Sequence, residues 1–123
     1  MPYVAIVLSQ ESHELCAQHA RRLGLLPRPH RLLCHHVTLT MGDNKDGRFA
    51  IGEERHLTAT HYGTINGRVA AFCVSGAHDS NNVVPHVTIA TFNGAKPRES
   101  NDVRHWQALP EPFVIVGTVL ACA

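Results

Sequence analysis

The sequence has little of what would tie a protein to long nucleic acid, a membrane or an oxidising compartment. Its 11 basic residues against 10 acidic ones leave a formal charge of only +1. That balance excludes an electrostatic grip on long duplex nucleic acid and suits a short or small phosphorylated ligand. The apolar stretch Val4 to Leu8 is far too brief for a membrane span or a secretory segment, and no basic region precedes it. No membrane partner and a cytoplasmic location are therefore expected. Cys16, Cys34, Cys73 and Cys122 include no Cys-x-x-Cys pair, and three of them sit in apolar runs, so they read as buried thiols.

Other absences bear on chemistry. The segment Gly42-Asp43-Asn44-Lys45-Asp46-Gly47 is a loop by composition, but it lacks the spacing and the Lys-Ser/Thr ending of a triphosphate-binding loop. Ten histidines invite a zinc-dependent hydrolase as an alternative. Against it, no His-x-x-x-His pair falls on an expected helix, and Asp43, Asp46, Asp79 and Asp102 fall in loops or at a helix edge. No metal and no cofactor are expected.

What is present is a repeated tetrapeptide. His36-Val37-Thr38-Leu39 returns fifty residues later as His86-Val87-Thr88-Ile89. On an extended strand side chains alternate between faces, so His36, Thr38 and Thr40 share one face while Val37, Leu39 and Met41 share the other. His86, Thr88 and Ala90 line up in the same way, opposite Val87 and Ile89. Each strand then offers an imidazole and a hydroxyl while burying an apolar pair. A single copy is an ordinary half-buried strand, whereas two copies would arise by chance in fewer than about one chain in a hundred of this composition.

The rest of the chain fits one domain spanning residues 1–123, long enough to bury a core. Tyr3 to Leu8 reads as a strand buried on both faces. Ser9 caps an expected helix from Gln10 to Leu23, with Leu15, Cys16, His19, Ala20 and Leu23 on one stripe and Gly24 as its stop. Pro27 and Pro29 break regular structure, and Arg21, Arg22, Arg28, His30 and Arg31 gather there as a solvated basic loop or, alternatively, a patch guiding phosphate. Leu32 to Met41 is the first motif strand. Leu57 to Tyr62 and Arg68 to Ser75 form a hairpin about Asn66-Gly67. Gly76 to Asn82 is a polar loop and Pro85 to Phe92 the second motif strand. Glu99 to Leu109 predicts a short helix and Phe113 to Cys122 a last strand. The pattern predicts an α+β domain with a mainly antiparallel sheet and about two outer helices.

The two tetrapeptides resemble the signature of the 2H phosphoesterase superfamily, whose members carry two copies of His, any residue, Thr or Ser, apolar residue. The wording of His35-His36-Val37-Thr38-Leu39-Thr40-Met41-Gly42 and of Pro85-His86-Val87-Thr88-Ile89-Ala90 is most similar to the small bacterial and phage Swiss-army-knife RNA-repair-like branch. Lys96-Pro97-Arg98-Glu99-Ser100-Asn101 also looks like that branch. The resemblance implies two related lobes whose sheets form a central cleft, each lobe giving one motif. It implies a metal-independent phosphodiesterase acting on an RNA end bearing a 2′,3′-cyclic phosphate, a 2′–5′ linkage or a small cyclic nucleotide.

Those residues cover the chemistry. A phosphodiester needs a base for the attacking oxygen, an acid for the leaving oxygen and donors for the non-bridging oxygens. Two histidines can hold opposite protonation states at one pH, so His36 and His86 are the expected acid–base pair. The resemblance makes Thr38 and Thr88 phosphate donors, a role their hydroxyls can fill. Lys96, Ser100 and Asn101 are candidate substrate contacts from the following loop. His13, His19 and His105 are expected at the surface or boundary of helices, His35 is expected to point away from His36, and His56 and His61 to lie on opposite faces. An idle phosphate- or nucleotide-binding module with the same cleft is the alternative from another class.

Overall fold

A computed structural model describes residues 2–44 and 47–123. Lys45 and Asp46 of the glycine-flanked loop lie outside the described residues. The strands are β1 (Tyr3–Leu8), β2 (Arg31–Leu32), β3 (His36–Met41), β4 (Glu54–Ile65), β5 (Val69–Ser75), β6 (His86–Thr91) and β7 (Gln107–Cys122), with one α-helix, α1 (Gln10–Arg22), and a 3-10 helix at Pro97–Asp102. The α+β class and the antiparallel sheet are as expected, with one helix of each kind.

The sheet does more than pair: it closes. Neighbours run β6-β3-β1-β7-β4-β5, and β5 pairs back onto β6, giving a six-stranded antiparallel barrel. Closure removes the exposed edges that an open sheet would leave. Alternation along each strand sends one row inward: Val4 and Ile6, Val37 and Leu39, Leu57 and Ala59, Phe72, Val87 and Ile89, and Ile115 and Val119 all join one buried cluster. Phe72 and Phe113 meet edge to face at 5.2 Å although β4 lies between their strands, which places both rings inside.

Ser9 caps α1 by accepting from the Ser12 N–H, and Gly24, at φ +73°, ends it. The helix buries Ser12, Cys16, Ala17 and Ala20. It is seated on β7 by the Val116 N–H donating to Ser12 Oγ at 2.7 Å and by His19 stacking on Phe113 at 3.9 Å. Cys16 and Cys34 are buried as expected, whereas Cys73 and Cys122 are partly exposed.

Two elements differ from the sequence reading. The helix predicted over 99–109 is a 3-10 helix ending at Asp102, and β7 begins at Gln107, six residues before the predicted start. Proline at the start of the short helix and the capping of the Lys96 N–H by the Glu99 carboxylate fix its beginning. Beyond it, Gln107 and Ala108 are claimed by Tyr62 and His61 of β4. Pro110 and Pro112 sit where the β4–β7 register shifts, between the Ala59–Phe113 and His61–Ala108 pairs, so neither is asked for a ladder N–H. His105 consequently lies outside any helix and is exposed.

The first motif strand is also divided. β2 and β3 run end to end along β6, with Leu32 opposite Ala90 and Val37 opposite Val87. Five steps on one side therefore match three on the other, and the surplus is taken up by a bulge at 33–36 in which Cys34 adopts φ +50°. Several bonds hold the bulge: Cys34 N–H to Thr88 O at 3.0 Å, Leu8 N–H to His35 O at 2.9 Å, and His13 Nδ1 to Cys34 O at 3.0 Å. Among the described residues no helix is long and apolar enough to cross a membrane.

Candidate active site on the outer face of the barrel wall

The rows opposite the core residues of β3 and β6 face outward. Val37 stands opposite Val87, so the antiparallel register sets His36 beside Thr88 and Thr38 beside His86. All four line one cavity of about 580 Å³, together with Tyr3, Arg31, Leu32, Leu33 and His35. Met41, Asn82, Pro97, Arg98 and Asn101 complete the lining. That volume falls within the usual range of a small-molecule site.

Past Val37 and Val87 the two strands part, and the 80–82 loop takes over as the neighbour of β3. Asn81 N–H bonds Leu39 O, Ser80 Oγ bonds Thr38 O at 2.8 Å, and Asn81 Nδ2 bonds Thr40 Oγ1 at 2.7 Å. Asn82 is thereby brought to the rim. Asp79 in the same loop is held by a bidentate pair with Arg55, so this carboxylate is spent on structure. Among the described residues no Asp or Glu lines the cavity.

His86 is buried, and its Nδ1 lies 2.8 Å from Val84 O. A carbonyl only accepts, so Nδ1 carries the proton and Nε2 is the nitrogen left for chemistry. Burial pushes the His86 pKa below its ordinary value, opposed by that carbonyl bond. His36 is half-buried, its ring tilted against Tyr3 at 5.2 Å, and its Nδ1 lies 2.9 Å from His35 Nδ1. Burial foremost, then the charges of His35 and His86, push its pKa down to about 4.

Thr88 Oγ1 lies 2.9 Å from Ser100 Oγ, and Ser100 is buried. Ser100 therefore stands behind Thr88 rather than in the cavity. Of the other two candidates in that loop, Asn101 lines the cavity, whereas Lys96 is exposed outside it. Two cations stand at the site: Arg31, which the sequence marks within a basic cluster with phosphate guidance as the alternative role, and Arg98, which lies in the 96–101 tail and was not among the candidate contacts. The sequence reading missed Tyr3 and Asn82, for which the sequence carries no signal.

The expectation for His35 is corrected. On a regular strand it would point away from His36, but it precedes β3 and follows the left-handed Cys34, so both imidazoles reach the same cavity. His56 pairs with Glu54 and His61 bonds Thr60, and neither lines the cavity. A scan of protein-family models and a search of curated proteins returned no match to this chain.

Proposed function

We propose that the chain is a 2H-type phosphodiesterase that works without a metal, with His36 and His86 as the acid–base pair and Thr38 and Thr88 as donors to the non-bridging oxygens. One observation carries the reading: the two motifs share one wall of one cavity, where each histidine neighbours the other motif's threonine. Arg31 and Arg98 add positive charge, with no carboxylate lining the cavity among the described residues, a donor set suited to an anion. In this reading the space between the 31–35 segment and the 3-10 helix is the substrate cleft, lying against the barrel rather than between two lobes.

The substrate class is an RNA end with a 2′,3′-cyclic phosphate, a 2′–5′ linked oligonucleotide or a small cyclic nucleotide. Tyr3, Leu32, Leu33, Met41 and Pro97 offer an apolar surface for a base or sugar beside the phosphate site. Attack and departure are both served by imidazole: one Nε2 removes the proton of the attacking water or hydroxyl, the other returns a proton to the leaving oxygen. The hydroxyls meet charge that grows on the phosphorus oxygens, and the guanidiniums hold the anionic substrate in place.

The test is a screen of those three substrate classes with purified protein in EDTA. Chelator-resistant turnover supports the proposal. Tight binding without turnover indicates a binding module, and activity lost to EDTA and restored by zinc indicates a metallohydrolase.

A further inference from the structure

His35 has no role in the reading above, yet it makes the closest polar contact to His36. The two Nδ1 atoms are 2.9 Å apart with ring planes at 82°, an edge contact rather than a stack. Two imidazole nitrogens at that distance need one proton between them and tolerate only one, because two N–H groups would clash and two lone pairs would repel. The contact therefore couples the tautomer of one ring to that of the other.

We propose that His35 is the positioning residue of His36: its Nδ1 accepts the His36 Nδ1–H, which turns the His36 Nε2 lone pair to the substrate and makes His36 the base and His86 the acid. The base role rests on the phosphodiesterase reading. The hydrogen bond and the tautomer do not.

The direction of the bond follows from what each ring must do. A base that takes a proton on Nε2 ends as an imidazolium with Nδ1–H, and that cation is supported only where Nδ1 faces an acceptor. For His86 the acceptor is the Val84 carbonyl. For His36 the hydrogen-bond partner on Nδ1 among the described residues is His35. His35 is exposed, so its own proton rests on Nε2 in contact with water. In turnover the attacking oxygen bonds to phosphorus and passes its proton to His36 Nε2, while the His36 Nδ1 proton stays bonded to His35. The bond from phosphorus to the leaving oxygen breaks as His86, entering as the imidazolium with its Nδ1–H on the Val84 carbonyl, gives its Nε2 proton to that oxygen. The step balances without any further reactant.

The bulge makes this arrangement possible. Cys34 at φ +50°, tied to Thr88 O and to His13, puts His35 and His36 on the same side, where an unbroken strand would separate them. The ionisable groups around His36 are His35 on its own segment, His86 from β6, Tyr3 from β1, Arg31 from β2 and Arg98 from the 3-10 helix. None of the other four makes a hydrogen bond to the His36 ring. Burial lowers both pKa values, but the neighbouring His35 and His86 lower that of His36 further whereas the Val84 carbonyl raises that of His86, which favours the same division.

The test reads the tautomer directly, by long-range proton–nitrogen NMR of the histidine side chains in the full chain, alongside the pH dependence of turnover. At neutral pH the wild-type His36 is expected to show a protonated Nδ1 and an unprotonated Nε2. His35→Leu is expected to release that preference and lower kcat by about ten- to a hundredfold with little change in KM. His35→Asn, whose carbonyl oxygen stands close to where Nδ1 stood, restores both, and His35→Asp moves the acid limb of the pH profile to higher pH by stabilising the His36 imidazolium. A wild-type His36 protonated on Nε2, or a His35→Leu protein with an unchanged tautomer and pH profile, overturns the proposal. A fixed tautomer in a protein that turns over no phosphodiester overturns the base role and the phosphodiesterase reading while leaving the His35–His36 bond in place.

Discussion

The Thr88 hydroxyl lies 2.9 Å from the buried hydroxyl of Ser100, so the 3-10 helix holds one of the two motif threonines from behind. If Ser100 donates, the Thr88 proton is held only by the long 3.4 Å contact to the Pro97 carbonyl and can turn to a phosphate oxygen. Ser100→Ala is then expected to lower turnover several-fold and to cost about 1 kcal/mol of stability through the lost buried bond. Lys96→Ala, outside the cavity, should change neither. Urea unfolding and kcat on the same preparations decide between them.

Acid should destabilise the fold through its buried histidines. His36 falls from its ordinary 6.5 to about 4 on folding, so between those values the unfolded chain binds the extra proton. Its stabilising share is complete above pH 6.5 and is lost as the pH falls toward 4, at roughly 2 kcal/mol after allowance for its partial exposure. The lowered pKa values of His86 and His19 add to the slope with the same sign. Denaturant midpoints at pH 7, 5.5 and 4 measure it, and His36→Asn should remove its own part only. Saturating phosphate should oppose the loss, because an anion favours the charged imidazole.

Arg31 and Arg98 are exposed at the cavity and make no ion pair among the described residues. Replacing either with Gln should raise KM severalfold, leave kcat within about twofold, and flatten the dependence of KM on salt. Titration of KM from low to physiological ionic strength is the check. An unchanged KM in both variants removes these residues from substrate binding.

The barrel closes tightly where β7 passes β1. A Cβ at Gly117 would meet Ile6 Cγ2 and the Val7 carbonyl oxygen, each at 2.7 Å. One of these is backbone, so the neighbour has no room to yield. Gly117→Ala is expected to cost about 2 to 3 kcal/mol, read as a lower urea midpoint with an unchanged slope.

Much of this was legible in the chain. Ser9 and Gly24 bounded α1 because capping is local, and period-two alternation in the two tetrapeptides told the inward valines from the outward His and Thr. What was not legible depended on contacts distant in sequence. Barrel closure is decided where β5 meets β6, and nothing local in either strand announces a sixth pairing. The helix over 99–109 failed because β4 captures Gln107 and Ala108, a tertiary demand that overrides local pattern. His35 was misdirected because alternation assumes a regular strand, and a left-handed cysteine carries no composition signal such as glycine would.

The central claim is that two histidines divide one acid–base reaction, and single and double replacements read it most directly. In EDTA, His36→Ala and His86→Ala should each lower kcat by about a hundredfold to ten-thousandfold while the proteins stay folded. The double variant should fall by much less than the product of the singles, because groups acting as one unit are not additive. The wild-type rate should be bell-shaped in pH, with limbs belonging to the coupled pair. A folded His86→Ala protein that keeps wild-type kcat on the same substrate would contradict the account.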